Sequence, residues 1–285
     1  MVVGCNGQLG RSLAKSVPPD VESIGLDLPD LDIANADMLL AACRDVRPAV
    51  IINAAAYTAV DQAESEPEIA NRVNVEGPKN IAAAARDVDA RLIHISTDFV
   101  FDGRATSPYG PDAGTNPLGV YGRTKRDGER VVLDVMPDKA VVVRTAWLYS
   151  KTGSNFVKTM LRLMSERNEI SVVADQFGTP TWADSLAAVV WAFAGTPANS
   201  GIYHWTDGGE SSWHQFAVAI QEEALSLGLL DTEIPVHPIS YVDYPTAAIR
   251  PPYSVLDCSS TCAALNINQT PWRENLHIML KGMLT

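Results

Sequence analysis

The chain has 285 residues, of which 46% are hydrophobic and 20% charged, and it carries a net charge of −12 at pH 7. This composition is typical of a globular protein and excludes a disordered or fibrous chain. The acidic balance and the lack of a basic run argue against a nucleic-acid-binding protein, and the longest apolar stretch, residues 186–195, has about half the length needed to span a bilayer.

The first half of the chain alternates short apolar runs with amphipathic stretches. Each run is rich in β-branched residues and bounded by turn residues, as in buried parallel strands, and each amphipathic stretch has helical spacing. The predicted strands are residues 2–3, 23–26, 49–53, 91–96 and 140–144, and the predicted helices are residues 8–17, 35–46, 69–88 and 117–133. This alternation predicts an α/β fold, a doubly wound parallel sheet of the Rossmann type.

The first predicted strand is short. The residues before Gly4 are fewer than the roughly five or six that are normal for a strand in the middle of such a sheet. Either residues upstream of Met1 are missing from this chain or the strand is truncated, and the sequence does not decide between them. The stretch before Gly4 also leaves no room for a signal peptide, so we expect a cytoplasmic protein.

The alternation is less regular after Arg144. Helical patterns occur at residues 155–167, 184–193 and 212–228, separated by irregular segments that contain proline and tryptophan. No repeat or linker divides the chain. We therefore predict a dinucleotide-binding domain over residues 1–147, with helices near 155–167 and 184–195 packing on it. The rest, residues 148–285, is predicted to form mostly a smaller, interleaved substrate-binding lobe.

The segment from Gly4 to Gly10 reads G-x-x-G-x-x-G between a predicted strand and a predicted helix. Gly4 permits a tight turn, Gly7 lets the backbone approach a pyrophosphate, and Gly10 lets the helix pack closely on the strand. The N-terminus of the helix would then face the phosphates. A glycine-rich turn without a ligand shows the same pattern, but the place of this one at the start of the alternation favours dinucleotide binding.

An acidic residue at the end of the second strand is expected to bind the ribose hydroxyls of the adenosine. Asp27 fits that place, and a carboxylate there repels a 2′-phosphate, which favours NADH. Residues 53–56 follow the third strand at the same edge of the sheet, where small side chains leave room for the cofactor. Ordinary packing of small residues explains that segment equally well.

Tyr121 and Lys125 are four residues apart on a predicted helix that Asn116 and Pro117 would open as cap and first residue. That spacing puts both side chains on one face. The pKa of a phenol is about 10, and a neighbouring ammonium group lowers it toward the range useful for proton transfer. The Y-x-x-x-K motif alone is weak evidence, because it arises often by chance.

Hydroxyl residues close the fourth predicted strand, one βα unit before this helix. Ligands bind at this edge of open α/β sheets, so we expect Thr97 to hydrogen-bond a substrate carbonyl oxygen alongside Tyr121. Ser96 should point to the opposite side of the strand and be structural. The glycine loop, the hydroxyl and the Tyr–Lys pair follow one another along one sheet and together predict a dinucleotide-dependent reductase.

Motifs of metal and nucleophile chemistry are missing from the sequence. It contains no H-E-x-x-H and no G-x-S-x-G, and its four cysteines are scattered. Cys258 and Cys262 form a C-x-x-x-C without a flanking histidine, which is too few ligands for zinc, so we expect reduced, packed thiols. The acidic run Glu64-Ser65-Glu66 is interpreted as a solvated face or as charge at a helix N-terminus. We therefore predict no metal site.

The sequence resembles a known family, the extended short-chain dehydrogenases, and within it the dTDP-4-dehydrorhamnose reductases. The likeness runs nearly end to end. The motifs that carry it are GxxGQLG (residues 4–10), NAAAYTAVDQAESEPE (53–68), STDFVFDG (96–103), VYGRTKRDGE (120–129), RTAWLY (144–149), NFVKTMLRL (155–163), DQFGTPT (175–181) and RPPYSVLD (250–257). The alanine run with its acidic tail and DQFGTPT are far more specific than general dehydrogenase motifs.

The resemblance implies a catalytic triad of Thr97, Tyr121 and Lys125. It also implies reduction of the C4 keto group of dTDP-4-dehydro-6-deoxy-L-mannose (dTDP-4-dehydro-L-rhamnose) to give dTDP-L-rhamnose, with NADH or NADPH, since members accept either to differing degrees. Candidate sugar-nucleotide contacts are Phe99, Trp147, Asn155 and Arg250. With the glycine loop included, the expected cofactor contacts are Gly4, Gly7, Gln8, Leu9, Gly10, Asp27, Asp32, Ile33, Ala54, Ala55 and Ala56.

The chain departs from the family pattern at three places. Phe99 stands where members commonly carry Tyr, so one hydroxyl near the sugar is absent. Ser12 stands where some members carry a glutamate that helps to hold a magnesium ion between subunits, which favours a monomer or a weak homodimer. Pro252 and Tyr253 replace a pair that is usually small or polar, so the sugar selectivity is open.

Alternatives remain at this stage. Trp147 is also explained as core packing and Arg250 as a solvated loop residue. A nucleotide-sugar epimerase or dehydratase shares the same fold, and relatives of the family include non-catalytic dinucleotide-binding regulatory subunits. For a reductase, and equally for an epimerase or dehydratase, the expected partner is a small nucleotide sugar, and neither nucleic acid nor a membrane is expected.

Overall fold

A computed structural model describes residues 1–284. Its strands are β1 (Val2–Val3), β2 (Gly25–Leu26), β3 (Val50–Asn53), β4 (Arg91–Thr97), β5 (Ala140–Thr145), β6 (Leu148–Tyr149), β7 (Ile170–Val173), β8 (Phe177–Gly178), β9 (Thr181–Trp182), β10 (Gly201–His204), β11 (Ser211–Ser212) and β12 (Val236–Ile239). Its helices are α1 (Gln8–Lys15), α2 (Ala36–Val46), α3 (Val60–Ala63), α4 (Pro67–Asn71), α5 (Gly77–Asp87), α6 (Val120–Val135), α7 (Phe156–Glu166), α8 (Ala183–Gly195), α9 (Trp213–Ser226), α10 (Ser259–Leu265) and α11 (Trp272–Lys281).

Six parallel strands form the central sheet in the order β2-β1-β3-β4-β5-β10. From β1 the chain goes outward to β2 and then crosses back to β3 on the other side of β1. The strand order therefore reverses between β1 and β3, and in open α/β sheets ligands bind at such a switch point, beyond the carboxyl ends of the strands. The predicted doubly wound fold is confirmed.

Both faces of the sheet are covered, because side chains alternate along each buried strand. Leu92 and Val142 face one core, which α2, α5 and α6 cover. Ile93 and Val141 face the other core, which α1 and α8 cover. This packing on both sides explains why the central strands appear in the sequence as continuous apolar runs.

The helix starts were predicted with mixed success. Asn35 caps α2 as expected, since its side chain accepts a hydrogen bond from the amide of Met38 at 3.1 Å. The predicted start of α6 at Asn116 and Pro117 is wrong: the helix begins at Val120. The amide of Val120 donates to Oε1 of Glu64 at 2.7 Å, so a carboxylate distant in sequence replaces a local cap.

The predicted helix over residues 69–88 is divided into α4, a π-turn (Arg72–Glu76) and α5. The π-turn carries the buried Asn74, whose side chain accepts a hydrogen bond from the amide of Tyr57 and donates to the carbonyl of Tyr57 and to the hydroxyl of Thr124. The irregular turn thereby fixes the loop after β3 against α6, which is a common use of π-turns near functional sites.

The second half of the chain contributes to both parts of the molecule. Strand β10 lies at the edge of the central sheet and α8 packs on α1. Helices α7, α9 and α11 surround a separate apolar core next to the parallel pair β7-β12. No helix within residues 1–284 is long and apolar enough to cross a membrane. The boundary at residue 147 stays a prediction.

Candidate active site

The glycine loop follows β1 and packs against the loop after β3. Gly4 has a φ of +81°, and a Cβ there would lie 2.5 Å from the amide nitrogen of Ala55. A Cβ on Gly10 would lie 2.2 Å from the carbonyl oxygen of Gly4. The chain itself therefore requires both glycines, because backbone atoms occupy the space of a side chain.

Gly7 is different. A Cβ there would meet only the carbonyl oxygen of Gly4, at 3.5 Å, and its φ of −71° suits any residue. Protein atoms leave open the space above this position, at the N-terminus of α1, where free amides and the helix dipole attract an anion. The loop thus fits the diphosphate of a dinucleotide: two glycines are required by the chain, and the third leaves room for a ligand.

The acidic candidates for the ribose lie at the same edge. Asp27 accepts hydrogen bonds from the amides of Asn6 and Leu28, both at 2.8 Å. Asp32 accepts from the amide of Ala34 and forms an ion pair with Arg72 at 2.6 Å. Sequence reasoning missed this arginine because it lies 40 positions away along the chain.

Two of the expected cofactor contacts have buried side chains. Leu9 is 5% exposed and Ile33 is 6% exposed, and each packs in an apolar core. Gln8 lies at the surface of the loop, where its Oε1 accepts a hydrogen bond from the side-chain Nδ2 of Asn155 at 2.9 Å. Contacts from Leu9 and Ile33 to a cofactor would therefore come from the backbone.

The loop over residues 54–56 is held by two buried side chains. Oδ1 of Asn53 accepts a hydrogen bond from the amide of Ala55 at 3.1 Å, and Nδ2 of Asn53 contacts Nδ1 of His94 at 3.0 Å. Burial lowers the pKa of His94 well below its usual value, and the charge of Lys125 lowers it further, so the imidazole is neutral and accepts this bond. No motif or spacing in the sequence pointed to His94.

The predicted hydroxyls and the lysine meet at the carboxyl end of β4. Thr97 ends the strand and Tyr121 lies in the first turn of α6, close enough for the hydroxyl of Thr97 to lower the pKa of the phenol. One turn further along α6, Nζ of Lys125 donates to the carbonyl oxygen of Ile95 at 2.7 Å. Phe99 packs edge-on against the ring of Tyr121, with 5.5 Å between ring centroids. The structure thus brings together all four residues.

The electrostatics of the pair differ from the expectation. Burial raises the pKa of Tyr121 to about 12; the hydrogen bond with Thr97 opposes this rise and the nearby charge of Asp98 adds to it. Burial lowers the pKa of Lys125 to about 8. Desolvation of the phenol therefore dominates its pKa, and Tyr121 is a protonated acid at neutral pH, which suits donation of a proton to an alkoxide.

Ser96 points to the other side of β4, as expected. It donates to the carboxylate of Glu129, which forms a bidentate ion pair with Arg144 at 2.9 and 2.7 Å. Glu129 and Arg144 are each 3% exposed. The group joins β4, β5 and α6 behind the candidate site, so its role is to fix the helix that carries Tyr121.

Two candidate substrate contacts are held by the protein itself. Trp147 has a φ of +46° and stacks on Trp213, with 3.6 Å between ring centroids, while the missing side chain of Gly178 leaves room for its indole. Asn155 caps α7 and donates to Gln8 and to the carbonyl of Ser150. A substrate contact from Asn155 would have to replace one of these bonds.

Arg250 lies between the two halves of the molecule. Its guanidinium forms a bidentate ion pair with Asp61, at 2.7 and 3.1 Å, and so is not a solvated loop arginine. Arg250 also lines a cavity of about 480 Å³ between α7, β7 and α9, together with Phe156, Trp213 and Tyr241. Gln176 on its wall is 3% exposed, and its Nε2 donates to no protein atom in residues 1–284.

The comparisons with known proteins agree with this geometry. The model of the RmlD substrate binding domain matches residues 1–285. A dTDP-4-dehydrorhamnose reductase of Aggregatibacter actinomycetemcomitans is 42% identical over 283 residues, covering 97% of this chain and 96% of its own. The chain belongs to the RmlD family.

Solved structures of RmlD-family proteins have the same fold. A dTDP-4-dehydrorhamnose reductase from Clostridium acetobutylicum superimposes with a TM-score of 0.93 at 40% identity, covering 100% of this chain and 99% of its own. One from Bacillus anthracis, in complex with NADP, superimposes with a TM-score of 0.91 at 38% identity, covering 98% of this chain and 96% of its own. The resemblance that the motifs indicated is confirmed along the whole chain.

Proposed function

We propose that this RmlD-family protein is an NAD(P)H-dependent oxidoreductase that reduces the C4 keto group of dTDP-4-dehydro-L-rhamnose to give dTDP-L-rhamnose. The observation that carries the proposal is the placement of Thr97, Tyr121 and Lys125 together at the carboxyl end of β4. The glycine loop, open above Gly7, lies at the same edge. The names of the relatives support the substrate, and the NADP complex of one of them supports the cofactor.

The dinucleotide, when bound, supplies the hydride that C4 receives. The residues that hold it are those of the glycine loop around the diphosphate, Asp27 and Asp32 at the adenosine ribose, and Ala54 to Ala56 beside the loop. Lys125 keeps an ammonium group near the site at neutral pH, because its pKa of about 8 lies above 7.

Tyr121 gives the proton. Its phenol stays protonated across the neutral range and donates from Oη to the C4 oxygen as that oxygen gains negative charge. Thr97, at the end of β4, presents its hydroxyl beside the same oxygen. Phe99 shields the phenol from water on one side, since its ring packs edge-on against that of Tyr121.

The sugar nucleotide is placed by the cavity of the substrate-binding lobe. We assign the nucleobase to this cavity, where Phe156 and Trp213 offer aromatic surface. Arg250 on its wall has the planar fork that suits a diphosphate. Trp147 and Asn155 then lie between this cavity and Gln8 of the glycine loop, facing the sugar.

The environment of Ser12 bears on the oligomeric state. Ser12 donates to Oδ1 of Asp184 at 2.6 Å within the chain, so its hydroxyl has a partner inside the protein at the position where some relatives place a metal ligand. We propose a monomer or a weak homodimer that works in the cytoplasm without nucleic acid or membrane.

The test is to mix the purified protein with NADPH and with dTDP-4-dehydro-6-deoxy-L-mannose and to follow absorbance at the nicotinamide band. The proposal predicts stoichiometric oxidation of NADPH and formation of dTDP-L-rhamnose. Tightly bound NAD⁺ with no net oxidation would identify an epimerase or dehydratase instead. NADPH binding without conversion of any dTDP-4-keto sugar would identify a regulatory subunit.

A further inference from the structure

A buried carboxylate lies directly behind the hydroxyl pair. Asp98 follows Thr97 in the chain and is 2% exposed. Its Oδ1 accepts a hydrogen bond from Oγ1 of Thr97 at 3.0 Å, and its Oδ2 accepts one from Oγ of Ser254 at 2.6 Å. Ser254 belongs to the RPPYS segment of the second half of the chain, so Asp98 connects the catalytic hydroxyl with the substrate-binding lobe.

The hydroxyl of Thr97 has one hydrogen and two partners for it. It accepts a hydrogen bond from the amide of Phe99 at 3.2 Å, which uses one lone pair of its oxygen. Its hydrogen points to the carboxylate of Asp98, and a substrate oxygen beside Tyr121 would compete for it. A hydrogen bond to a carboxylate is about twice as strong as one between neutral groups, so an ionised Asp98 takes the hydrogen.

This competition decides how many donors a substrate oxygen meets. While Asp98 is ionised, Thr97 offers only a lone pair toward the site and Tyr121 is the single donor. Once Asp98 is protonated, its own hydroxyl can donate to Thr97 and the hydrogen of Thr97 is free. A substrate oxygen that is becoming negative then meets two donors, which stabilises it more.

We propose that Asp98 is a positioning residue that sets the direction of the Thr97 hydroxyl, and that Ser254 couples this setting to the substrate-binding lobe. The proposal rests on the reductase function above. No covalent bond of the protein changes, and the proton given to the substrate still comes from Tyr121.

The surroundings of Asp98 allow its protonation to be seen. Burial raises the pKa of Asp98 to about 6, while its hydrogen bonds to Ser254 and Thr97 oppose this rise. Tyr121 on α6, with a pKa of about 12, responds to the charge of Asp98, and Lys125, one turn further along that helix, has a pKa of about 8. None of these groups titrates between pH 5 and 7, and Asp98 forms no salt bridge within the described chain.

The activity test compares pH profiles of kcat/KM for NADPH-dependent reduction between pH 5 and 7.5. We expect the wild-type value to rise by at least about ten-fold as the pH falls through 6, because the second donor becomes available. In Asp98→Asn, which cannot ionise, the profile should change less than two-fold. In Ser254→Ala the rise should begin at higher pH, because loss of a donor to the carboxylate favours its protonated form.

A matched control is available elsewhere in the fold. Asp207 is also buried, 1% exposed, with a pKa raised by burial to about 6, and it lies away from Tyr121. Asp207→Asn should leave the profile unchanged. A flat wild-type profile, or an Asp98→Asn profile with the same rise as the wild type, would overturn the proposal.

A second readout does not depend on turnover. In protein labelled with ¹³Cζ-tyrosine, the resonance of Tyr121, assigned with Tyr121→Phe, should shift with a midpoint near pH 6 in the wild type and lose this midpoint in Asp98→Asn. In Thr97→Val the shift should shrink by more than half, because the hydroxyl that transmits it is gone. A full shift in Thr97→Val would contradict positioning through Thr97. If the protein failed to oxidise NADPH, the reductase function would fall, while this titration would still decide the role of Asp98.

Discussion

At the scale of single residues, two glycines of the loop are required by the packing of the chain itself, and the third leaves space for a ligand. Gly4 and Gly10 are enclosed by backbone atoms, whereas Gly7 faces open space. The motif predicted a different role for each glycine, and the structure adds the atoms that enclose two of them: the backbone of Ala55 at Gly4 and the carbonyl oxygen of Gly4 at Gly10. The motif predicted the glycine loop, and the packing explains what each of its glycines contacts.

Replacing Gly7 by alanine should therefore impair binding and spare the fold. We expect Gly7→Ala to raise the Kd for NADPH by at least about ten-fold, a loss of about 1.4 kcal/mol, with an unchanged melting temperature. Gly10→Ala is the matched control: its Cβ would overlap the carbonyl of Gly4, so it should lower the free energy of unfolding by about 2–3 kcal/mol. Calorimetry with and without NADPH measures both, and equal effects of the two variants on Tm would contradict this division.

A second residue-scale prediction concerns pH and stability. Burial raises the pKa of Asp207 to about 6, so the folded state favours its neutral form. The contribution of Asp207 to stability is full below pH 4 and is lost as the pH rises through 6, by up to about 3 kcal/mol. Urea unfolding at pH 4, 5, 6 and 7 should show the wild type losing stability relative to Asp207→Asn over this range. A constant difference between the two proteins would refute the assignment.

Local spacing was sufficient to predict that Thr97, Tyr121 and Lys125 lie close together, because one strand end and one helix face determine their positions; their catalytic roles stay a prediction. It was insufficient for the partners of those residues. Ser254 is 156 positions from Asp98, and the sequence has no period or spacing that joins them. The pKa of Tyr121 was also mispredicted. Lys125 was expected to lower it, but burial of the phenol in the packed fold raises it.

At the scale of elements, α6 is the helix on which the proposed chemistry depends, and its start is fixed from outside. Glu64, at the end of α3, accepts the hydrogen bond of the Val120 amide, while the predicted cap Asn116 is exposed and bonds to Asp102. Alternation of apolar runs correctly predicted that a helix follows β4. It could not predict that the residues next to Pro117 remain non-helical, because the capping carboxylate comes from another element.

Removal of that carboxylate should weaken the helix. We expect Glu64→Ala to lower the free energy of unfolding by about 1 kcal/mol, the usual cost of a lost N-cap. Asn116→Ala, at the position where the sequence placed the cap, should change it by less than about 0.5 kcal/mol. Urea denaturation of the two variants gives both numbers, and the reverse order would show that Asn116 is the cap in solution.

At the scale of the whole molecule, hydrogen bonds and an ion pair join the two halves of the chain around the candidate site. Gln8 bonds to Asn155, Asp98 to Ser254, and Asp61 to Arg250. Each of these contacts joins a motif of the first half to a motif of the second. The sequence contains most of these motifs and predicted an interleaved lobe, but it could not predict which motifs contact each other.

The contact of Arg250 with Asp61 gives a prediction at this scale. Both side chains are partly exposed, so the ion pair itself adds little to stability. If Arg250 holds the diphosphate of the sugar nucleotide, Arg250→Ala should raise the KM for that substrate by at least about ten-fold with NADPH affinity unchanged.

The controls follow from the geometry of the guanidinium. Arg250→Lys should not restore the KM, since a lysine lacks the bidentate fork. Arg273 on α11 is a matched control outside the cavity, because it forms ion pairs with Glu222 and Glu223 on α9. Arg273→Ala should leave the KM unchanged. An unaltered KM in Arg250→Ala would show that this arginine only holds Asp61.

The central claim is that the phenol of Tyr121 delivers the proton at the edge of the sheet, and turnover of Tyr121→Phe tests it most directly. With saturating NADPH and dTDP-4-dehydro-6-deoxy-L-mannose, we predict that kcat falls by about 10²–10⁴-fold while the Kd for NADPH changes less than two-fold. Tyr149→Phe, which removes a buried hydroxyl without a hydrogen-bond partner in the described chain, should keep the wild-type kcat. A Tyr121→Phe protein that reduces the sugar at a near-normal rate would contradict the account.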